Sequence, residues 1–248
     1  AAVLILGGSD QATLDVTIST DVSVSQQPII CYGDSTGVVS VTNPQTGISY
    51  SYLWEHANGD TVGVGATVDS LPAGDYTLYS SYNNITGCTT TDVITILQNS
   101  LIQSNATVVD VSCNGGSDGS ITTTTYGGSS PYTYSWSSSL GILSDITNLS
   151  TGSYELTIFD EDSCSVVETY VVGEPAPLSV TVSASQTYIL DAAVVGGTPP
   201  YSYSWVEQSQ SSVTLGILST YTVGANGTYY VVVTDAHDCE SISSTTTY

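Results

Sequence analysis

The chain has 248 residues with no Lys or Arg and 23 Asp or Glu, giving a formal net charge of −23 at pH 7 and a pI near 4.1. With no cationic side chain to neutralise phosphate, nucleic-acid binding, attraction to anionic membranes and P-loop nucleotide binding are excluded. At 40% apolar residues and a mean hydropathy of +0.14, the chain still carries enough apolar matter for more than one small folded domain.

Residues 1–26 open on Ala1-Ala-Val-Leu-Ile-Leu6-Gly-Gly. This run is too short for a signal peptide and lacks its basic flank. It matches Glu168-Thr-Tyr-Val-Val172-Gly, so it reads as a last strand without its domain: either the remnant of a preceding repeat or a strand donated to a neighbouring molecule's sheet. No run of about 20 apolar residues marks a membrane span.

Three segments then carry the same landmarks in the same order, at residues 27–100, 101–176 and 177–248. The first landmark is a run of alternating aromatics, Tyr50-Ser-Tyr52-Leu-Trp54, Tyr132-Thr-Tyr134-Ser-Trp136 and Tyr201-Ser-Tyr203-Ser-Trp205. The second is an apolar residue, a glycine turn and a tyrosine, ending at Tyr76, Tyr154 and Tyr229. The third is a polar turn closed by Cys88, Cys164 or Cys239. Between landmarks the apolar residues alternate with period two, as in Tyr154-Glu-Leu156-Thr-Ile158, and Val, Thr and Tyr dominate. That pattern predicts strands, and short strands at this spacing predict tandem immunoglobulin-like β-sandwiches, an all-β fold. Trp54, Trp136 and Trp205 are expected in the cores, and the tyrosine after each glycine turn resembles a tyrosine corner. Gly173-Glu-Pro-Ala-Pro177 marks a junction with limited flexing.

Five cysteines without a Cys-x-x-Cys pair argue against zinc and for an oxidising compartment. Similar gaps suggest Cys31 with Cys88 and Cys113 with Cys164, each closing one sandwich at about 4 kcal/mol in the chain-entropy model. The third segment has no opening cysteine. Cys239 is then left over, as a buried thiol, as an intermolecular link, or with an unrecognised partner in this chain.

The string Cys113-Asn-Gly-Gly-Ser-Asp-Gly-Ser-Ile121, followed by Gly127-Gly-Ser-Ser-Pro-Tyr-Thr-Tyr-Ser-Trp136 and Leu149-Ser-Thr-Gly-Ser-Tyr154, resembles the SprB repeat of Bacteroidetes surface proteins. The first segment matches through Cys31-Tyr-Gly-Asp-Ser-Thr-Gly37 and Leu71-Pro-Ala-Gly-Asp-Tyr76, the third from Gly196-Gly-Thr-Pro-Pro-Tyr201 onward. The resemblance implies a large extracellular, repetitive filament or adhesin with no catalytic activity. It departs from the pattern in the missing third opening cysteine and the absence of Lys and Arg.

Ser35, Thr61 and Ser70 each follow an aspartate, in the arrangement used for O-glycosylation in Bacteroidetes. Asn84, Asn105, Asn148 and Asn226 head N-x-S/T sequons. Asp160-Glu-Asp162 and Asp235-Ala-His-Asp238 gather oxygen ligands, but Asp and Asn are what a hairpin turn needs. No metal or cofactor is assigned to them. No Gly-x-Ser-x-Gly or His-Glu-x-x-His motif occurs, and His56 and His237 have no nucleophile partner in sequence, so no catalytic residue is named. The expected function is a structural or adhesive cell-surface fibre, self-assembling and glycosylated, and outside the reach of trypsin-like proteases for want of Lys and Arg. The alternative is an array of carbohydrate-binding modules using some of the 18 tyrosines as stacking faces.

Overall fold

A computed structural model of the chain describes residues 22–42, 49–82 and 89–248, with only the backbone described at Tyr82 and Ser139. The N-terminal strand segment up to residue 21 lies outside the described residues, as do Cys88 and Asn84. The chain forms two compact units. Unit 1 comprises Ala1–Ile102, Gly127–Ser130 and Glu161–Cys164, and unit 2 comprises Gln103–Tyr126, Pro131–Asp160 and Ser165–Tyr248.

Among the described residues unit 1 holds seven strands: β1 (Ser23–Gln27), β2 (Gly37–Thr42), β3 (Tyr50–His56), β4 (Thr61–Val64), β5 (Thr67–Leu71), β6 (Gly74–Tyr82) and β7 (Thr89–Ile96). They form antiparallel sheets of order β1-β2-β5 and β4-β3-β6-β7. The third strand passes to the second sheet and the fifth returns to the first, the crossing-over of an immunoglobulin-like sandwich. Alternation decides what faces inward. In β2, Gly37, Val39 and Val41 are buried while Val38 and Ser40 are half-buried, so the two faces differ at every step. Trp54, Tyr76, Leu78 and Ile96 from one sheet meet Val39, Val41 and Leu71 from the other.

Unit 2 repeats the plan twice. The second repeat supplies β8 (Gln103–Val109), β9 (Gly119–Tyr126), β10 (Thr133–Trp136), β11 (Ile146–Leu149), β12 (Gly152–Phe159) and β13 (Ser165–Val172), in sheets β8-β9-β11 and β10-β12-β13. The third supplies β14 (Ser179–Gln186), β15 (Ile189–Val195), β16 (Ser202–Glu207), β17 (Thr220–Thr222), β18 (Thr228–Thr234), β19 (Glu240–Ile242) and β20 (Thr246–Thr247). Its sheets are β14-β15-β17 and β16-β18-β19, with β20 also on β18. The core of the third repeat gathers Trp205, Leu190, Val231, Val233 and Tyr229. The fold is thus all-β, built of tandem immunoglobulin-like sandwiches.

All three tryptophans are buried, as their place in the aromatic runs predicts. The tyrosine corners are present too. Tyr76 donates its hydroxyl to the Pro72 carbonyl, Tyr154 to Ser150 and Tyr229 to Ala225, each at 2.7 Å. The bond spans four residues and pins the glycine turn against the strand that follows. Burial raises the Tyr76 and Tyr229 hydroxyl pKa values, with the neighbouring Tyr221 and Glu207 adding to the effect at Tyr229.

Candidate functional site: the cysteine-closed repeat junctions

The disulfides are Cys31–Cys164 and Cys113–Cys239, with Cα–Cα distances of 5.4 and 5.7 Å. The pairing expected from spacing, Cys31 with Cys88 and Cys113 with Cys164, is therefore wrong, and Cys239 is not left over. Strand register gives the reason. In the second repeat, Gly119 pairs with Leu149 and Gly152 with Val172 at one end of the sandwich, where the Cys113 loop leads into β9. Cys164 sits in the hairpin loop between Phe159 and Ser165, at the other end of β12. Seven residues of extended chain, about 23 Å, separate these ends, whereas bonded cysteines need Cα atoms within about 7 Å. The same holds in unit 1, where Gly37–Leu71 and Gly74–Ile96 pair at one end and Ser81–Thr89 at the other. An opening cysteine thus bonds the closing cysteine of the next repeat in sequence.

Around each disulfide the same hydrogen bonds recur. In unit 1 the Ile29 N–H donates to the Leu97 carbonyl (2.8 Å) and the Gly33 N–H to the Gln98 side-chain oxygen (2.8 Å). The Gly128 N–H donates to Ser100 and the Glu161 N–H to Ser129, both at 2.9 Å. Asn99 adds side-chain donations to Ser129 Oγ and Asp162 Oδ2. In unit 2 the Val111 N–H donates to the Gly173 carbonyl (3.1 Å) and the Gly115 N–H to the Glu174 carboxylate (2.7 Å). The Gly197 N–H donates to Ala176 and the Ala236 N–H to Thr198, again at 2.9 Å. The glycine pairs at these places are demanded by space. A Cβ on Gly127 would lie 2.0 Å from the Leu101 carbonyl oxygen, and one on Gly196 would lie 2.1 Å from that of Pro177, both at positive φ.

The acidic turns are structural members of these junctions. Asp235 is buried, and its carboxylate accepts N–H groups from Thr198 (2.8 Å), His237 (2.8 Å) and Cys239 (3.0 Å), fixing the turn that presents Cys239. Burial pushes the Asp235 carboxyl up, but the N–H donors of Thr198, Cys239 and His237, with the His237 charge, outweigh it and hold the group below its ordinary 3.8. Asp118 is lowered chiefly by the Ser112 hydroxyl and N–H that it accepts in the opening loop. A carboxyl depressed in the fold stabilises it above the ordinary value, and that contribution is lost as pH falls through the lowered one. We therefore expect unit 2 to lose stability below pH 3.8, and Asp235→Asn to be less stable at neutral pH with a shallower acid limb. Thermal melts between about pH 2 and 7 check this, and an Asn variant as acid-sensitive as the parent would refute it.

Among the described residues no group of three His, Cys, Asp or Glu is placed to hold a metal ion. An open cleft lies beside each disulfide, about 330 Å³ next to Cys31 with Asp34 and Asp162, and about 450 Å³ next to Cys113 with Asp238 and Glu240. The candidate glycan acceptors Ser35, Thr61, Ser70, Asn105, Asn148 and Asn226 are all exposed. Ser70 and Asn148 occupy equivalent positive-φ positions, at 58° and 59°, before the buried Leu71 and Leu149. The tyrosines are used mainly in packing, as where Tyr221 stacks on Trp205 at 5.8 Å and meets Tyr229 at 5.7 Å. Among the described residues only Tyr32, Tyr126 and Tyr188 are exposed, each in a different repeat.

Sequence reasoning passed over one further feature. Leu140-Gly-Ile-Leu-Ser144 recurs identically as Leu215-Gly-Ile-Leu-Ser219, a signal visible in self-comparison. Both loops follow the core tryptophan, where unit 1 has the edge strand β4.

Comparison with known proteins gives a match to the SprB repeat family model at residues 105–141. No curated protein matches. Among solved structures, the chain is similar to the mouse nectin-like molecule 4 full ectodomain (Ig1-Ig3), at 12% identity and TM-score 0.35 over 91% of this chain and 93% of that one. It is also similar to Sidekick-1 immunoglobulin domains 1–5, at 13% identity and TM-score 0.33 over 87% and 55% of the two chains. A third is a Dscam isoform structure, at 12% identity and TM-score 0.28 over 91% and 71%. Among the described residues no helix is long and apolar enough to cross a membrane. The matched stretch takes in the opening cysteine loop, the glycine pair and the Tyr134-Ser-Trp136 strand, so residues 105–141 are similar to a SprB repeat within a chain of tandem immunoglobulin-like sandwiches.

Proposed function

We propose that the chain is an extracellular structural and adhesive element of a surface fibre, without enzymatic activity, built from three immunoglobulin-like repeats over 27–100, 101–176 and 177–248. The observation that carries this reading is the recurrence of one junction, the same disulfide step with three backbone–backbone hydrogen bonds and one from a glycine N–H to a side-chain oxygen, at 31–164 and at 113–239. A junction used twice is a rule for lengthening, which a fibre needs and an isolated binding module does not. Two disulfides fit an oxidising, extracellular setting. Exposed Ser35, Thr61, Ser70, Asn105, Asn148 and Asn226 leave room for glycans, which would add bulk and solubility.

Covalent joining to further repeats passes from Cys239 to Cys88, because the other four cysteines are bonded to one another. The part of the 1–26 segment that precedes β1 serves the same joint by strand complementation, while Ser23–Gln27 pairs with β2 of its own sandwich.

Electron microscopy of undenatured native material, with intact mass measured with and without reductant, tests this. Filaments with an axial period of whole repeats are expected, together with mass above 25.7 kDa in sugar increments and larger species that collapse on reduction. Monodisperse single chains of unmodified mass would overturn assembly and favour the carbohydrate-binding reading.

A further inference from the structure

The two Leu-Gly-Ile-Leu-Ser loops of unit 2 are held in the same manner by the tryptophan before them. The Trp136 N–H donates to the Gly141 carbonyl (3.3 Å) and the Trp205 N–H to Gly216 (3.0 Å). The indole Nε1–H donates to Leu143 (2.9 Å) in one repeat and to Leu218 (2.8 Å) in the other. Each loop is tied again at its far end. The Thr123 hydroxyl donates to the Ser144 carbonyl at 2.8 Å, and the Ala192 N–H to Ser219 at 2.9 Å.

With the backbone fixed by the core, the aliphatic side chains project into water. Ile142 is 79% exposed, Leu143 69%, Ile217 72% and Leu218 68%. Unit 1 keeps a reduced version, in which the Trp54 indole donates to Gly65 (3.2 Å) and Val64 is 73% exposed. Packing inside the sandwich does not require these side chains to be large and apolar.

The chemistry of the loops narrows what they contact. In a chain with 23 carboxylates, Ser135–Ser144 and Gln208–Gly227 contain none, so the loops are uncharged and their projecting Ile-Leu pairs sit among Ser, Thr and Gln. The projecting residues offer no aromatic face for a sugar and no cation for an anion. A second copy of this chain is disfavoured as occupant. A stable protein pair buries about 800 Å² on each partner, far beyond two side chains. A continuous apolar surface is different, because it engages many small contacts of one array at once and gains by multivalency.

We propose that the Ile142-Leu143 and Ile217-Leu218 pairs are contact points by which the repeats adhere to extended, uncharged, hydrocarbon-like surfaces. This rests on the adhesive part of the function proposed above and names the class of surface.

Adsorption of the full chain to methyl-terminated and hydroxyl-terminated alkyl monolayers, followed by surface plasmon resonance, tests it. Retention on the methyl surface should exceed that on the hydroxyl surface by about tenfold or more. Ile142→Ser with Leu143→Ser, or Ile217→Ser with Leu218→Ser, should each weaken it by about tenfold, and all four together by about a hundredfold. Val195→Ser, at a site 72% exposed on a strand, is the control and should change it less than about twofold. Unchanged circular dichroism is expected, because the tryptophan anchors bind backbone carbonyls.

Equal adsorption by the fourfold variant, or an equal loss in the Val195 control, would overturn the proposal. So would a dimer seen by sedimentation that the fourfold variant abolishes, which would make a second copy the occupant. Filaments without adsorption would reject the contact points and leave the fibre standing. Pair-dependent adsorption by single chains would do the reverse.

Discussion

Trp205→Ala is expected to unfold the third repeat near physiological temperature while leaving unit 1 intact. The indole is fully buried, stacks on Tyr221 at 5.8 Å and belongs to the core formed with Leu190, Val231 and Val233. Truncating a buried tryptophan costs about 3–5 kcal/mol through lost transfer and an unfilled cavity. Losing the Nε1–H donation to the Leu218 carbonyl adds about 1 kcal/mol. Set against domain stabilities of about 5–15 kcal/mol, that is decisive for a small sandwich. Thermal melts followed by far-ultraviolet circular dichroism should lose one transition and keep another. A melting curve superposable on the parent would refute the core assignment.

The second large effect is expected from the paired substitution Cys113→Ala with Cys239→Ala. The bridge closes 126 residues, which in the chain-entropy model stabilises the fold by about 5 kcal/mol. Chemical denaturation should show that loss in unit 2. Fragment mapping gives the connectivity directly. With no Lys or Arg, cleavage is made at acidic residues in place of trypsin sites, and unreduced digests should link the Cys31 fragment to Cys164 and the Cys113 fragment to Cys239. A Cys113–Cys164 fragment would reject the register described above.

Much of the architecture is legible in the sequence because local rules dictate it. Alternation around Leu156 and Ile158 names the inward face of β12, the Tyr-x-Tyr-x-Trp runs name the core, and a glycine turn before tyrosine names each corner. Cysteine connectivity is not legible that way. Gaps along the chain carry no information about which end of a sandwich a loop occupies, and the register of β6 with β7 and of β12 with β13 decides it. The acidic clusters mark turns in the sequence, and Asp235 fills that role by taking three backbone donors. The Leu-Gly-Ile-Leu loops were visible as an exact repeat, but apolar letters suggest a core until exposure is known. The terminal segment, Cys88 and Asn84 lie outside the described residues.

The two covalent loops overlap between Cys113 and Cys164, and this limits how far the chain can be drawn out. Without cross-links, the 208 residues from Cys31 to Cys239 would extend to about 730 Å once unfolded. With both bridges intact, the shortest route between those cysteines crosses two sulfur bonds and only the 51 residues from Cys113 to Cys164, about 180 Å. A tether made this way stays short under load even after its sandwiches have opened, so tension is borne by covalent bonds and the recoil distance for refolding is small.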